Sequence, residues 1–356
     1  MKTSTSKRLR WNVAIWLAAG LFMTGAAGMA AGPIMPDPKA EARHQPQIEE
    51  TANGIPFVNI TAPSSGGVSR NEYETFNVPD KGAILNNSYT LSKTELAGYV
   101  QGNNNMAERP AKIIVNEVTG AGPTSMDGFL EVAGNRADVV IANPNGITVN
   151  GGGFINTGKA FLTTGKPVYD GEDHLQRFDI TGGDILIEGK GLGGKETGSL
   201  AILSRAVKIN AGIWAKDLHI TTGTNTVDAK TLEASAIEGK GGRPAFALDT
   251  AAIGGMYAGR ITLVGTEKGL GVNNSGTWSA EDNLTLDWNG DLKNSGTIYS
   301  KGNTDLRASC LENDKTIAAE RNLSAAAKEN IRNQGKLLAG ENMDIYAGKT
   351  LDNAGH

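Results

Sequence analysis

Five asparagine-led tetrapeptides recur towards the end of this 356-residue chain. They are Asn274-Ser275-Gly276-Thr277, Asn294-Ser295-Gly296-Thr297, Asn313-Asp314-Lys315-Thr316, Asn333-Gln334-Gly335-Lys336 and Asn353-Ala354-Gly355-His356, at steps of 20, 19, 20 and 20 residues. A second series, Asn283, Asn303, Asn322 and Asn342, keeps the same beat. A fixed period near 20 residues means stacked units, each burying its apolar face only against its neighbours. Leu284, Leu323 and Met343 follow the second-series asparagine directly, and Leu286, Leu306 and Ile345 lie two residues further on. Apolar residues at alternate places are the signature of a strand. A leucine-rich repeat shares the length but requires an LxxLxLxxN pattern that is absent. The reading is an all-β, right-handed parallel β-helix (a solenoid), whose corner asparagines can stack into ladders of side-chain amides.

The composition agrees. Gly accounts for 47 residues while aromatic residues make up only 6%, a balance that suits many short strands and tight corners. Lys+Arg 34 against Asp+Glu 38 leaves a net charge of -4, too small and evenly spread to suggest nucleic acid as a partner. Cys310 is the only cysteine, so no disulfide can form within the chain. The histidines at 44, 174, 219 and 356 are scattered, with no metal-ligand spacing. No metal, cofactor or small-molecule substrate is expected.

Upstream, Lys2, Lys7, Arg8 and Arg10 precede an apolar run from Trp11 to Ala27 and then small residues, the order of a secretory signal peptide. Cleavage is expected after Ala30, with Gly28 as a second choice. Residues from Ala31 to Ala62, rich in proline, read as an extended leader, in which Ile55-Pro56-Phe57-Val58-Asn59-Ile60 could form a capping strand over the open end of the helix. Thr90 to Gln101 reads as a short helical turn. The run Gly189 to Ser199 lacks the phosphate-loop spacing and reads as a flexible excursion between coils. Cys310 is expected to act as a small apolar filler.

The segment from Val139 to Gly165, VVIANPNGITVNGGGFINTGKAFLTTG, has strands flanking a turn of Asn143-Pro144-Asn145-Gly146. Pro144 presets φ, and Asn145 and Gly146 tolerate left-handed backbone. This segment resembles the secretion domain of two-partner-secretion exoproteins, the filamentous haemagglutinin and contact-dependent-inhibition family. The stretch Asn71 to Val78 and the paired Asn86-Asn87 fit the same resemblance. Asn103-Asn104-Asn105-Met106 stands where the family has NPNL, without the proline. What the resemblance implies is recognition in the periplasm by an outer-membrane partner transporter with periplasmic domains, and export to the surface of a Gram-negative-type bacterium or beyond. It points to Asn86, Asn87, Asn143, Pro144, Asn145, Gly146 and Ile147, as transporter-recognition residues or as structural turns.

The expected organisation is a signal peptide over 1–30, a secretion domain with its N-terminal cap over 31–265, and haemagglutinin-type repeats over 266–356. The expected role is an adhesin or toxin-delivery shaft, possessing no enzyme activity, with a host or neighbouring-cell receptor as a further partner. Since the chain stops inside a repeat, it reads as a truncated exoprotein, a fragment or a short member. The alternative is a secreted β-helical carbohydrate-active enzyme. Its acids would have to come from Asp170, Glu172, Asp173 and Asp179, in a loop read as solvated and with no spacing that defines a carboxylate pair. His174 and His219 are expected at exposed loop or coil positions.

Overall fold

From Pro56 to Asn353 the chain winds as a parallel β-helix with three faces, seen most simply where the 20-residue period holds. In the computed structural model, which describes residues 32–107 and 109–356, one coil consists of Thr277–Ala280, Leu284–Trp288 and Leu292–Asn294. Each strand bonds in parallel to its counterpart one turn later, Thr297–Ser300, Thr304–Ala308 and Leu311–Asn313 respectively. Burial alternates along the strands of this coil, as in Trp278 and Ala280 or Leu284 and Leu286. The signal-peptide reading lies outside the described residues.

The register explains the one step of 19. The first and second faces keep their pairing through it, and Leu292, Leu311 and Ile331 stay aligned on the third. The deletion falls in the corner between second and third faces, where Ser309 and Cys310 stand for Asn289, Gly290 and Asp291. A corner can lose a residue; a strand losing one would turn its apolar side chains to solvent. Cys310 sits in that corner half-buried, rather than as core filler.

Upstream the same three faces continue without a visible period, because insertions interrupt the coils. The first insertion leaves the first face after Ala83–Asn87 and returns at Ile113–Val118 of the second. Within it Ser92–Thr94 and Gly98–Val100 form an antiparallel hairpin, so Thr90 to Gln101 is not helical. Leu96 and Ala97 press the hairpin against Ile84 and Ala133 on the outside of the first face, and its turn is held by Glu131, which accepts from the backbone N–H groups of Glu95 and Leu96 at 2.7 and 2.9 Å.

Two later insertions, distant in sequence, pair with each other: Lys166–Tyr169, Leu175–Ile180, Asn225–Asp228 and Ala234–Ala236 make a four-stranded antiparallel sheet. Phe178, Ile180 and Val227 of this sheet close over Val115, Val140 and Phe161. The second face is thereby buried on both sides, which accounts for apolar runs such as Val139-Val140-Ile141-Ala142 in place of alternation. His219 lies on a strand of this face, half-buried rather than at an exposed position, and burial holds its pKa down to about 4.

The N-terminal end is closed by folded chain, not an extended leader. Ile34–Pro36 pairs antiparallel with Val68–Phe76, and Gln47–Glu50 with Pro56–Asn59. Pro56–Asn59 is therefore the first strand of the first face, and the strand before it does the capping. An antiparallel strand ends the ladder because its own outer edge is out of phase with another parallel coil. Likewise Leu192–Gly194, within the supposed excursion, is an ordinary strand of the first face with Leu192 buried.

Candidate functional site

The residues singled out from the sequence fall at two different corners and do not form one site. Asn86 and Asn87 end a strand of the first face, and both are wholly buried. Asn86 donates from Nδ2 to Asn59 Oδ1 at 2.8 Å and to the Gln101 carbonyl at 3.0 Å. Asn87 holds the first insertion shut. Its Nδ2 donates to the carbonyls of Ala111 and Asn135, both at 2.9 Å, and its Oδ1 accepts from the Ala111 N–H at 2.7 Å. An amide side chain here takes the place of a peptide group that the inserted chain has carried away.

Asn143 to Ile147 turn the chain from the second face to the third. Asn143 is wholly buried: its Oδ1 accepts from the Asn145 N–H at 2.9 Å, and its Nδ2 donates to the Gly122 carbonyl and Thr124 Oγ1, both at 3.0 Å. Asn145 reaches the Gly120 carbonyl at 2.8 Å. Gly146 has φ of +112°, a conformation L residues avoid, and Ile147 enters the core. Only Pro144 and Asn145 are exposed.

The turn lacking proline proves to be built the same way. Asn103 Oδ1 accepts from the Asn105 N–H at 3.0 Å, its Nδ2 donates to the carbonyls of Ile60 and Asn86, and Asn105 Nδ2 also reaches Ile60. Met106 N–H closes on the Asn103 carbonyl at 3.1 Å, as Gly146 N–H does on Asn143. The leading asparagine sets this geometry, and the proline only favours it. Downstream the first asparagine series forms an internal ladder, Nδ2 to Oδ1, through Asn274, Asn294, Asn313, Asn333 and Asn353 at 2.7–2.8 Å. The second series forms a more exposed one, in which Asn322 and Asn342 each donate to the preceding asparagine at 2.9 Å.

A charged cluster escaped the sequence reading. Arg70 on the second face bonds Glu72 at 2.9 Å and approaches Glu117 at 3.5 Å, with its guanidinium 4.4 Å from the Tyr169 ring centroid. His44 of the cap places Nδ1 3.0 Å from Glu72. Asp173, at the tip of the inserted hairpin, accepts from Arg43 at 2.6 Å and lies 4.0 Å from His44. Burial, helped by the Arg70 charge, outweighs the carboxylates and lowers the His44 pKa, while burial raises that of Glu117. The cluster joins cap, first coils and outer sheet. Its members lie more than a hundred residues apart in part, which is why no local pattern announced it.

Other acids of that hairpin serve local structure. Asp170 accepts from the backbone of Glu172 and His174 and lies 2.9 Å from His174 Nδ1, and Asp179 pairs with Arg177. The loop is exposed at Asp170 to Glu172, as a solvated loop should be, and is in addition an ordered turn tied to the cap through Asp173. Among the described residues no group of three or more His, Cys, Asp or Glu is placed to hold a metal ion.

Comparison with known proteins places this geometry in context. The TPS secretion domain family matches residues 33–300, and the haemagglutinin repeat family residues 300–355. A protein named toxin CdiA from Yersinia pestis is 43% identical over 298 residues, 77% of this chain and 9% of that protein. One named 16S rRNA endonuclease CdiA, from Enterobacter cloacae, is 40% identical over 334 residues, 86% of this chain and 10% of that protein. The chain thus spans about a tenth of the length of these relatives. The crystal structure of a filamentous hemagglutinin secretion domain superposes with a TM-score of 0.68 at 28% identity, covering 90% of this chain and all of that one.

Proposed function

The chain belongs to the two-partner-secretion exoproteins, secreted or surface-exposed proteins of Gram-negative bacteria, and from that membership we propose how its asparagine corners serve export. The matched region is a secretion domain and not a catalytic one. Residues 31–265 with their cap act as the part an outer-membrane partner transporter recognises, and residues 266–356 as the start of a shaft. The whole exoprotein serves as an adhesin or a toxin-delivery shaft, with a receptor on a host or neighbouring cell, and this segment contributes no catalysis.

The observation that carries the reading of the site is burial: Asn86, Asn87 and Asn143 are 0% exposed and internally bonded. A transporter cannot touch them in the folded coil. They are read on the extended chain before it folds, where strand pairing offers a backbone-based mode of capture. After export the same side chains close the corners. Folding outside the membrane then opposes return, because coils stack one on another.

The test measures secretion in cells carrying the partner transporter, comparing Asn143→Ala with Ile202→Ala, a core truncation of similar expected cost away from the corners. Asn143→Ala should leave the chain in the periplasm while Ile202→Ala is still exported. Equal loss from both would reduce the motif to a corner.

A further inference from the structure

The outer surface of the first face carries a stripe that the export reading does not use. Followed from coil to coil by backbone register, one outward position reads Phe129, Gly153, Gly193, Trp214, Tyr257, Ser279 and Tyr299. Phe129 and Tyr257 are 43% and 39% exposed, and Trp214 is half-buried. The Trp214 and Tyr257 rings lie 6.2 Å apart and 16° from parallel. Parallel strands are spaced about 4.8 Å, so the backbone positions of Phe129 and Trp214 stand roughly 14 Å apart; neither position between them has a side chain, and the Phe129 ring lies across Gly153 towards Gly193. There the surface opens into a slot of ≈ 320 Å³, lined by Phe129, Phe154, Gly193, Lys195, Glu196 and Trp214.

The two glycines are there for different reasons. A Cβ on Gly153 would lie 2.4 Å from Phe129 Cε1, so the packing of that ring requires glycine. At Gly193 the backbone is not left-handed, and a Cβ would meet nothing closer than 3.7 Å. Glycine inside a strand weakens it and often marks a close approach of something else. Neither strain nor crowding explains Gly193; what it provides is floor between two aromatic rings.

We propose that this slot binds a pyranose unit of a neutral, β-linked glycan. A pyranose has an apolar C–H face and a rim of hydroxyls. The aromatic walls and glycine floor fit the first by stacking and burial, and the exposed ammonium of Lys195 and carboxylate of Glu196 fit the second as charge-assisted donor and acceptor. Tyr257, stacked beyond Trp214, extends the platform along the helix axis towards a neighbouring sugar.

Calorimetric titration of the secreted chain with cellohexaose and with chitohexaose tests this. Binding of at least one is expected, with a shift in tryptophan emission that reports Trp214, since Trp278 and Trp288 are 0% and 1% exposed. Trp214→Ala and Phe129→Ala should each weaken that binding by about tenfold or more, a change of about 1.4 kcal/mol. Gly193→Val, which fills the slot with a residue favoured in strands, should do the same with no fall in the urea midpoint. Tyr299→Ala, on the stripe but beyond the slot, should bind as the natural chain does. Heat and emission unchanged with both sugars at millimolar concentration would overturn the proposal, and so would unweakened binding by Gly193→Val. Secretion of Gly193→Val is expected to be normal, so this result and the export test fail independently.

Discussion

Replacing Asn294 by alanine tests whether the buried ladder holds the shaft together. Asn294 is wholly buried. Its Nδ2 donates to Asn313 Oδ1 at 2.8 Å, the Thr316 carbonyl at 3.0 Å and the Gly296 carbonyl at 3.2 Å, and its Oδ1 accepts from Asn274 Nδ2 at 2.8 Å and the Gly296 N–H at 3.3 Å. Alanine would leave these partners in a site with no water to replace the amide. Leaving one buried polar group unsatisfied costs about 1–3 kcal/mol. Gly296 N–H and Asn313 Oδ1 lose their partner outright, whereas Asn274 Nδ2 keeps a long contact to the Thr297 carbonyl. With two groups orphaned and the cavity small, the expected loss is roughly 3–5 kcal/mol. Asn342→Ala removes a similar side-chain bond from the exposed ladder, where water substitutes, and should cost about 0.5 kcal/mol or less. Urea unfolding followed by circular dichroism gives both values, and hydrogen exchange of the Gly296 amide gives the local one. If the two variants lose stability equally, burial of the amides is not what stabilises the stack.

Three further outcomes follow from the geometry. His219 has a folded-state pKa of about 4, below its ordinary value near 6.5, so the folded state binds the proton less well. The stability contributed by neutral His219 is complete above pH 6.5 and is lost as pH falls through 6.5 towards 4, about 3 kcal/mol in all; His219→Gln should flatten that part of a pH series of urea midpoints. Arg70→Met would leave Glu72 and Glu117 packed together without their cation, at a cost of about 3–5 kcal/mol, read as faster hydrogen exchange in Gln47–Glu50 and Val68–Phe76; unaltered exchange there would show that the cluster does not hold the cap. Phe178→Ala empties a fully buried position facing Phe161 at 5.8 Å, worth about 3–5 kcal/mol. It should release the inserted sheet, exposing the 170–174 turn to protease while the repeats stay protected; equal protection in both forms would argue against the outer core.

Where the sequence alone sufficed, the physics was local or strictly periodic. The asparagine steps and alternate leucines determine a parallel stack, since a unit repeated every 20 residues must meet its neighbour with equivalent side chains, and both ladders stand where the two series placed them. Asn143-Pro144-Asn145-Gly146 was legible as a turn because its residues act on their own backbone. Tertiary structure decided the rest. That Asn86 and Asn143 occupy separate corners, both hidden from any partner, depends on how many residues each insertion removes from a coil. The hairpin at Ser92–Val100, where a short helical turn was expected, owes its form to Glu131 and the first face. Arg43 meets Asp173, and the segments 166–180 and 225–236 share one sheet, through contacts between residues far apart in sequence. Such contacts leave no period and no motif, because they are chosen by the three-dimensional course of the coils.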